Sequence, residues 1–116
     1  MSTDSLNSAI NKEVTQALTT LGIPVYRKKS PDAGTYPVVV YNLMSRSPNF
    51  HSGNRLMAVD TNIRVTLINS NSAFGDFEDR IIEAMENIDF SWLATNEAEY
   101  ENEFYLVLDF TRGDEL

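Results

Sequence analysis

The chain has 116 residues, of which 42% are hydrophobic, and it carries no cysteine and a net charge of −8. This length predicts one domain, residues 1–116, with one core, and the missing cysteines exclude disulfides, thiolate metal sites and cysteine nucleophiles. No apolar run is long enough to predict a membrane span, and the N-terminus lacks the basic and apolar segments of a signal peptide.

Charge is distributed unevenly along the chain. Residues 1–64 carry seven Lys and Arg against four acids, whereas residues 65–116 carry two Arg against thirteen acids. Opposite signs on different faces would favour head-to-tail association of copies. The alternative is that the acids only solubilise the second predicted helix and a turn. A net-acidic chain is poorly suited to wrapping nucleic acid, because neutralising phosphates needs Lys and Arg.

The first predicted element is a helix over Asp4–Leu21. Its apolar residues recur at helical spacing and form one stripe: Leu6, Ile10, Val14, Leu18 and Leu21. Such a stripe is typical of a helix that buries one face. Thr3 or Asp4 is suited to cap its start. Gly22 is suited to the left-handed conformation at its end, and Pro24 prevents the helix from resuming.

A long hairpin is predicted next, after a short edge strand at Ile23–Lys28 and a turn at Lys29–Thr35. Its strands are Tyr36–Met44 and Leu56–Asn69, and a polar loop, Ser45–Arg55, joins them. Six alternate residues of the second strand form its predicted core face: Met57, Val59, Thr61, Ile63, Val65 and Leu67. This alternation indicates a half-buried antiparallel strand.

The length of the second hairpin strand predicts an elongated shape. Its fourteen residues span about 46 Å, whereas a compact domain of this size is only about 35 Å across. The hairpin is therefore expected to bend sharply or to project beyond the body. A projecting hairpin would offer a binding surface to another protein.

The second half of the chain completes an α+β fold. The predicted elements are a helix over Ala73–Asn87, a strand over Asp89–Ala94, a polar turn over Thr95–Asn102, a strand over Glu103–Arg112 and a frayed end at Gly113–Leu116. Phe90 and Trp92 are expected on one face of the shorter strand. The order is α-β-β-β-α-β-β, and packing two amphipathic helices on one face of a mainly antiparallel sheet is the simplest way to bury these apolar stripes.

Motifs for catalysis or cofactor binding are not evident. The single histidine, His51, falls in the predicted polar loop and is interpreted as exposed rather than as a general base. The alternating acids Glu97, Glu99, Glu101 and Glu103 are interpreted as a solvated hairpin tip, since a metal loop must converge its oxygens. All five glycines are isolated, so no phosphate-binding loop fits. We therefore expect no enzymatic activity, no cofactor and no metal.

Two groups of residues are candidates for a self-association or partner interface. The first is the basic cluster Arg27, Lys28 and Lys29, and the second, in the predicted loop, is Arg46, Phe50, His51 and Arg55. An aromatic residue flanked by arginines is typical of interface anchors. The alternatives are that the cluster is a solvated strand end and that Phe50 folds back on the body.

Four segments together resemble one protein family. They are LGIPVY at 21–26, YPVVVYNL at 36–43, TNIRVTLIN at 61–69 and FYLVLDFT at 104–111, with an acidic helix before the last. In this order and spacing, the chain from Leu6 to Thr111 resembles the tail completion, or tail-to-head joining, proteins of long-tailed bacteriophages, which are related in fold to tail terminators.

The resemblance implies an α+β fold and a structural, non-enzymatic role. Members of this family assemble as a ring, commonly a hexamer, on the head-proximal end of the tail tube. The ring stops tube elongation and meets the head connector protein, and genome DNA passes through it without specific binding. The implied location is the head-tail junction of the virion, after assembly in the host cytoplasm, with no membrane contact.

Three other functions stay open at this point. The first is a head-completion protein on the portal side of the connector. The second is a small ligand-binding or enzymatic α+β domain, which would need a concave pocket with converging polar groups. The third is a cellular regulatory adaptor that uses the hairpin for β-augmentation.

Overall fold

Two helices pack on one face of a five-stranded sheet in the computed structural model, which describes residues 3–28, 36–53 and 55–115. The elements within these ranges are α1 (Thr3–Thr19), β1 (Val25–Arg27), β2 (Val38–Ser52), β3 (Arg55–Asn69), α2 (Phe77–Glu86), β4 (Ser91–Tyr100) and β5 (Glu103–Glu115). The predicted α+β fold and the order α-β-β-β-α-β-β are confirmed. The predicted turn at Lys29–Thr35 lies outside the described residues.

The central strand of the sheet is β3. Across the sheet the order is β1-β2-β3-β5-β4, so the edges are β1 and β4. β1 runs parallel to β2, and the other three neighbouring pairs are antiparallel. Because β3 pairs with β2 on one side and β5 on the other along most of its 15 residues, it aligns both halves of the sheet.

The hydrophobic core lies between the helices and one face of the sheet, which we call the covered face. All five residues of the predicted α1 stripe are buried there, together with Ile81 and Met85 of α2. The alternating β3 residues from Val59 to Leu67 are each no more than 2% exposed, as predicted. The Met57 side chain lies outside the described residues. Burying one aliphatic side chain is worth about 1.5–3 kcal/mol, so these stripes hold the helices to the sheet.

The predicted loop at Ser45–Arg55 is wrong, because β2 and β3 stay paired to the end of the hairpin. The ladder continues to the pair Ser52 and Arg55, with three register shifts between Leu43 and His51. Backbone hydrogen bonds between the strands do not require apolar side chains, so the polar composition misled the prediction. Pro48 is tolerated because no described strand pairs with the outer side of β2 there. The molecule is correspondingly elongated, at 51 × 25 × 24 Å.

The predicted polar turn at Thr95–Asn102 is also mostly strand. β4 pairs with β5 as far as Tyr100, and only Glu101 and Asn102 form the turn. Both turn residues have positive φ, 47° and 67°, which is the conformation of a two-residue hairpin turn. The predicted frayed end pairs as well, because residues 113–115 of β5 lie opposite residues 58–60 of β3.

The second helix begins at Phe77, four residues later than the predicted start at Ala73. Gly75 has a φ of +59°, which a right-handed helix cannot contain. The Ala73 N–H donates to the Asn71 side chain over 2.9 Å. Asn71 therefore stabilises a local turn before the helix, because side chains that cap helices also stabilise turns.

Replacing Gly22 by alanine is expected to lower the free energy of unfolding by about 1 kcal/mol, because its φ of +76° disfavours any Cβ. No atom lies within 4 Å of the added Cβ, so backbone strain is the only cost. Gly113→Ala is the matched control. Its Cβ would meet Asp60 and Asn49 at ordinary contact distances of 3.5 and 3.6 Å, so stability should rise by about 0.5 kcal/mol. Urea unfolding measures both, and equal effects would contradict the prediction.

Candidate interaction surfaces

The basic cluster lies at the β1 edge of the sheet. Arg27 and Lys28 are exposed, and Lys29 lies outside the described residues. Arg27 sits beside Tyr41 in the parallel ladder. Tyr41 is part of the core, so the Arg27 side chain projects toward the covered face. Neither cation has a described hydrogen-bond or ion-pair partner, and both are free to meet another molecule.

Arg46 is engaged within the chain. It lies opposite Thr61, which is fully buried on the covered face. The Arg46 Nε donates to Thr61 Oγ1 over 3.2 Å, and a second guanidinium nitrogen donates to Asn7 Oδ1 of α1. Arg46 therefore ties the hairpin to the first helix, and its half-buried guanidinium is not freely available to a partner.

The tip of the hairpin carries the remaining predicted interface residues. Arg55 is exposed there, and Phe50 and His51 take part in the β2–β3 ladder, but their side chains lie outside the described residues. The tip is eleven residues along β2 from the level of Arg27, which corresponds to roughly 35 Å. The predicted candidates therefore do not form one patch: they lie at the β1 edge, under α1 and at the tip.

The opposite edge of the sheet is a ten-residue strand with a negative charge. Nine of the ten residues of β4 are exposed, and no described strand pairs with its outer side. Glu97 and Glu99 lie opposite Leu106 and Phe104 of β5 and so project toward the covered face. No described residue pairs with either carboxylate. An unpaired edge of this length is a template for strand addition.

A hollow borders this acidic edge on the covered side of the sheet. Its volume is about 390 Å³, and it is lined by Ser72, Phe74, Glu97, Ala98, Glu99 and Phe104. Phe74 and Phe104 are half-buried. The hollow thus combines two carboxylates with two aromatic rings, a set of groups that suits a cationic side chain with an aliphatic stem. Sequence analysis missed it because Phe74 is distant along the chain.

A shallow groove on the other, open face of the sheet is flanked by apolar side chains. Met44 is 50% exposed and Leu93 is 58% exposed, and both line the groove beside Arg64 and Asp109. Arg64 donates two hydrogen bonds to Asp109, at 2.8 and 3.2 Å. The bonds to Asp109 raise the pKa of Arg64. Met and Arg are enriched in protein interfaces, so this groove is a further candidate contact surface.

Glu103 is not part of a solvated hairpin tip, contrary to its sequence interpretation. Its carboxylate accepts hydrogen bonds from the hydroxyls of Tyr36, at 2.7 Å, and Tyr105, at 3.0 Å. Burial raises the pKa of Tyr105, and the hydrogen bond to Glu103 raises it further. Glu103 thereby links the start of β5 to the residues before β2.

Arg112 lies at the centre of a buried charge cluster that sequence analysis missed. It donates to Glu13 of α1 and to the Ile88 carbonyl, each at 2.9 Å, and pairs with Asp114 at 2.9 Å. The guanidinium also lies 4.6 Å from the centre of the Phe90 ring. Burial lowers the pKa of Arg112, but hydrogen bonds and charge attraction from Asp114 and Glu13 more than offset this, so the net shift is upward. The cluster joins α1 and the segment that follows α2 to the end of β5.

Residues 3–28, 36–53 and 55–115 hold no group of three or more His, Cys, Asp or Glu side chains that could bind a metal ion. Over the same ranges, no helix has the length and apolar character needed to cross a bilayer.

Comparisons with known proteins do not place the chain in a family. No protein-family model matches it, and no curated protein does so either. The function proposed below therefore draws on the sequence resemblance and on the surfaces of the chain.

Proposed function

We propose that this chain is a structural, non-enzymatic virion protein of a tailed bacteriophage, which caps the head-proximal end of the tail tube as a ring. In this role it stops tube elongation and joins the tail to the head connector. The sequence resemblance supplies this role, and the ring is taken to be a hexamer on the same basis. The observation that best supports it is the separation of charge between the two edges of one sheet.

This separation favours a ring over a symmetric dimer. The β1 edge carries Arg27 and Lys28, and the β4 edge carries Glu97 and Glu99. The β1 edge is therefore complementary in charge to the β4 edge. Two β1 edges, or two β4 edges, would repel each other. A surface of this type associates head to tail, and a head-to-tail contact closes into a ring when its rotation allows.

The elongated shape and the acidic surface support the same role. The long axis of 51 Å gives the hairpin the reach to contact the tail-tube protein or a neighbouring copy. The acids of α2 and β4 outnumber the basic residues of those elements. If they line the lumen, they would repel phosphates and let genome DNA pass without binding.

Deleting the gene from its phage is expected to give separate heads and overlong or unjoined tails. Electron microscopy of the particles measures tail length and attachment, and complementation with the intact gene is the control. Tails of normal length beside heads that leak DNA would contradict the tail role and favour the head-completion protein. Normal virions would contradict both.

A further inference from the structure

Given the proposed ring, a side chain from a neighbouring copy can occupy the hollow beside the acidic edge. Glu97 and Glu99 stand over a hollow bordered by Phe74 and Phe104. Carboxylates attract a cation, and aromatic rings stabilise one that lies over their faces. The chemistry of the hollow therefore calls for an arginine or lysine side chain rather than an anion or a purely apolar group.

The chain itself carries such cations in the required position. Arg27 projects toward the covered face, which is also the face toward which Glu97 and Glu99 project. Within one molecule these groups cannot meet, because β1 and β4 are four strand spacings apart, or about 19 Å. They can meet only between two copies.

We propose that the β4 edge of one copy binds the β1 edge of the next, with Arg27 and Lys28 of one copy against Glu97 and Glu99 of its neighbour. Within one sheet, β1, β2 and β5 run in one direction and β3 and β4 run in the other. When the sheet of one copy continues into the next, β1 and the neighbouring β4 are therefore antiparallel. Each sheet continues into the next, and side chains on the covered face of both edges become cross-strand neighbours.

The same charges oppose symmetric pairing. An antiparallel β4–β4 contact centred on Ala98 would place Glu97 opposite Glu99 of the other copy, and like charges directly opposite each other are destabilising. A β1–β1 contact would bring Arg27 and Lys28 together in the same way. The distal edge of β2 is a poor alternative partner for β4, because Pro48 and three register shifts interrupt it.

Charge reversal tests this contact. One variant, Glu97→Lys/Glu99→Lys, makes both edges basic, and the other, Arg27→Glu/Lys28→Glu, makes both acidic. We expect each variant alone to lose at least tenfold in self-association relative to the unaltered chain. An equimolar mixture should recover it, because every contact then pairs a basic edge with an acidic one and copies alternate around an even-numbered ring. Sedimentation velocity, with and without tail-tube protein, measures association.

A cysteine pair gives an independent test. The chain has no cysteine, so Arg27→Cys/Glu97→Cys should form disulfides only between copies, since the two positions are too far apart within one molecule. Oxidation should give a ladder of covalent oligomers on a non-reducing gel. Arg55→Cys/Glu97→Cys, with one cysteine moved to the hairpin tip, is the matched control and should give no ladder.

The outcomes separate this contact from the proposed function. If the unaltered chain associates and both charge variants associate equally well, the edge contact is wrong while the ring stands. If the unaltered chain stays monomeric alone and with tail-tube protein, both fail. Circular dichroism checks that the variants are folded, and all four charged side chains are exposed, so their replacement should leave the fold intact.

Discussion

Replacing Arg112 by methionine is expected to lower the free energy of unfolding by about 3 kcal/mol. The Arg112 side chain is only 10% exposed, and its partner Asp114 is 13% exposed. Methionine keeps much of the aliphatic stem but removes the charge, so Asp114 would stay buried without a cation. Glu13, whose side chain is 42% exposed, can turn to solvent and contributes less. Urea unfolding followed by circular dichroism measures the change.

Two further variants identify the cause of this loss. Arg64→Met removes an arginine from the more exposed pair with Asp109, with side chains 41% and 26% exposed, and should cost less than about 1 kcal/mol. Adding Asp114→Asn to Arg112→Met should recover part of the stability, because it removes the stranded charge. If the loss for Arg112→Met is no larger than for Arg64→Met, burial does not make the Arg112–Asp114 pair more important for stability than an exposed pair.

Replacing Phe90 by alanine is expected to lower the free energy of unfolding by about 3–5 kcal/mol. Phe90 is 2% exposed and is among the largest fully buried side chains. The chain turns into the core at Asp89, which has a φ of 69°, and the Phe90 N–H donates to the Met85 carbonyl over 3.1 Å. Truncation would leave a cavity between α2 and the sheet and would remove the ring that lies against the Arg112 guanidinium. Calorimetric or urea unfolding measures the effect.

Trp92→Ala is the matched control for Phe90. The sequence places both aromatic residues on one face, and Trp92 lies opposite the core residue Phe110 in the ladder. Because β4 is an edge strand, however, Trp92 stays 47% exposed. Its removal should cost about 1–2 kcal/mol, well below the loss for Phe90→Ala, since about half of its surface stays in water and truncation leaves no closed cavity. A loss as large as that for Phe90→Ala would mean that the edge is covered in the isolated chain.

The contact between Phe90 and Arg112 makes the two large predictions interdependent. Residues in direct contact usually have non-additive effects, with coupling energies of about 0.5–3 kcal/mol. The double variant Phe90→Ala/Arg112→Met should therefore lose less than the sum of the two single losses. Strict additivity would indicate that the ring and the guanidinium do not stabilise each other.

The candidate interface illustrates how much of a site the sequence can reveal. Composition singled out Arg27 and Lys28 as a basic cluster and the alternating acids from Glu97 as a group. It could not place them at opposite edges of one sheet, because strand order depends on pairing between distant segments. It also could not separate Arg46, which is bound to α1, from the exposed Arg55. The contacts of a side chain depend on the residues around it in the fold, and those residues come from distant parts of the sequence.

Local periodicity by itself determined the element order, the apolar stripe of α1 and the core face of β3, because repeats of 3.6 and two residues are set by the geometry of a single segment. Only the tertiary structure decided where polar segments form strands. Residues 45–52 and 95–100 lack a core-facing apolar pattern, yet they pair because β3 and β5 present backbone donors and acceptors beside them. Tertiary packing also gave Arg112 its partners and placed the two charged edges on opposite sides of the sheet, since both depend on residues brought together from far along the chain.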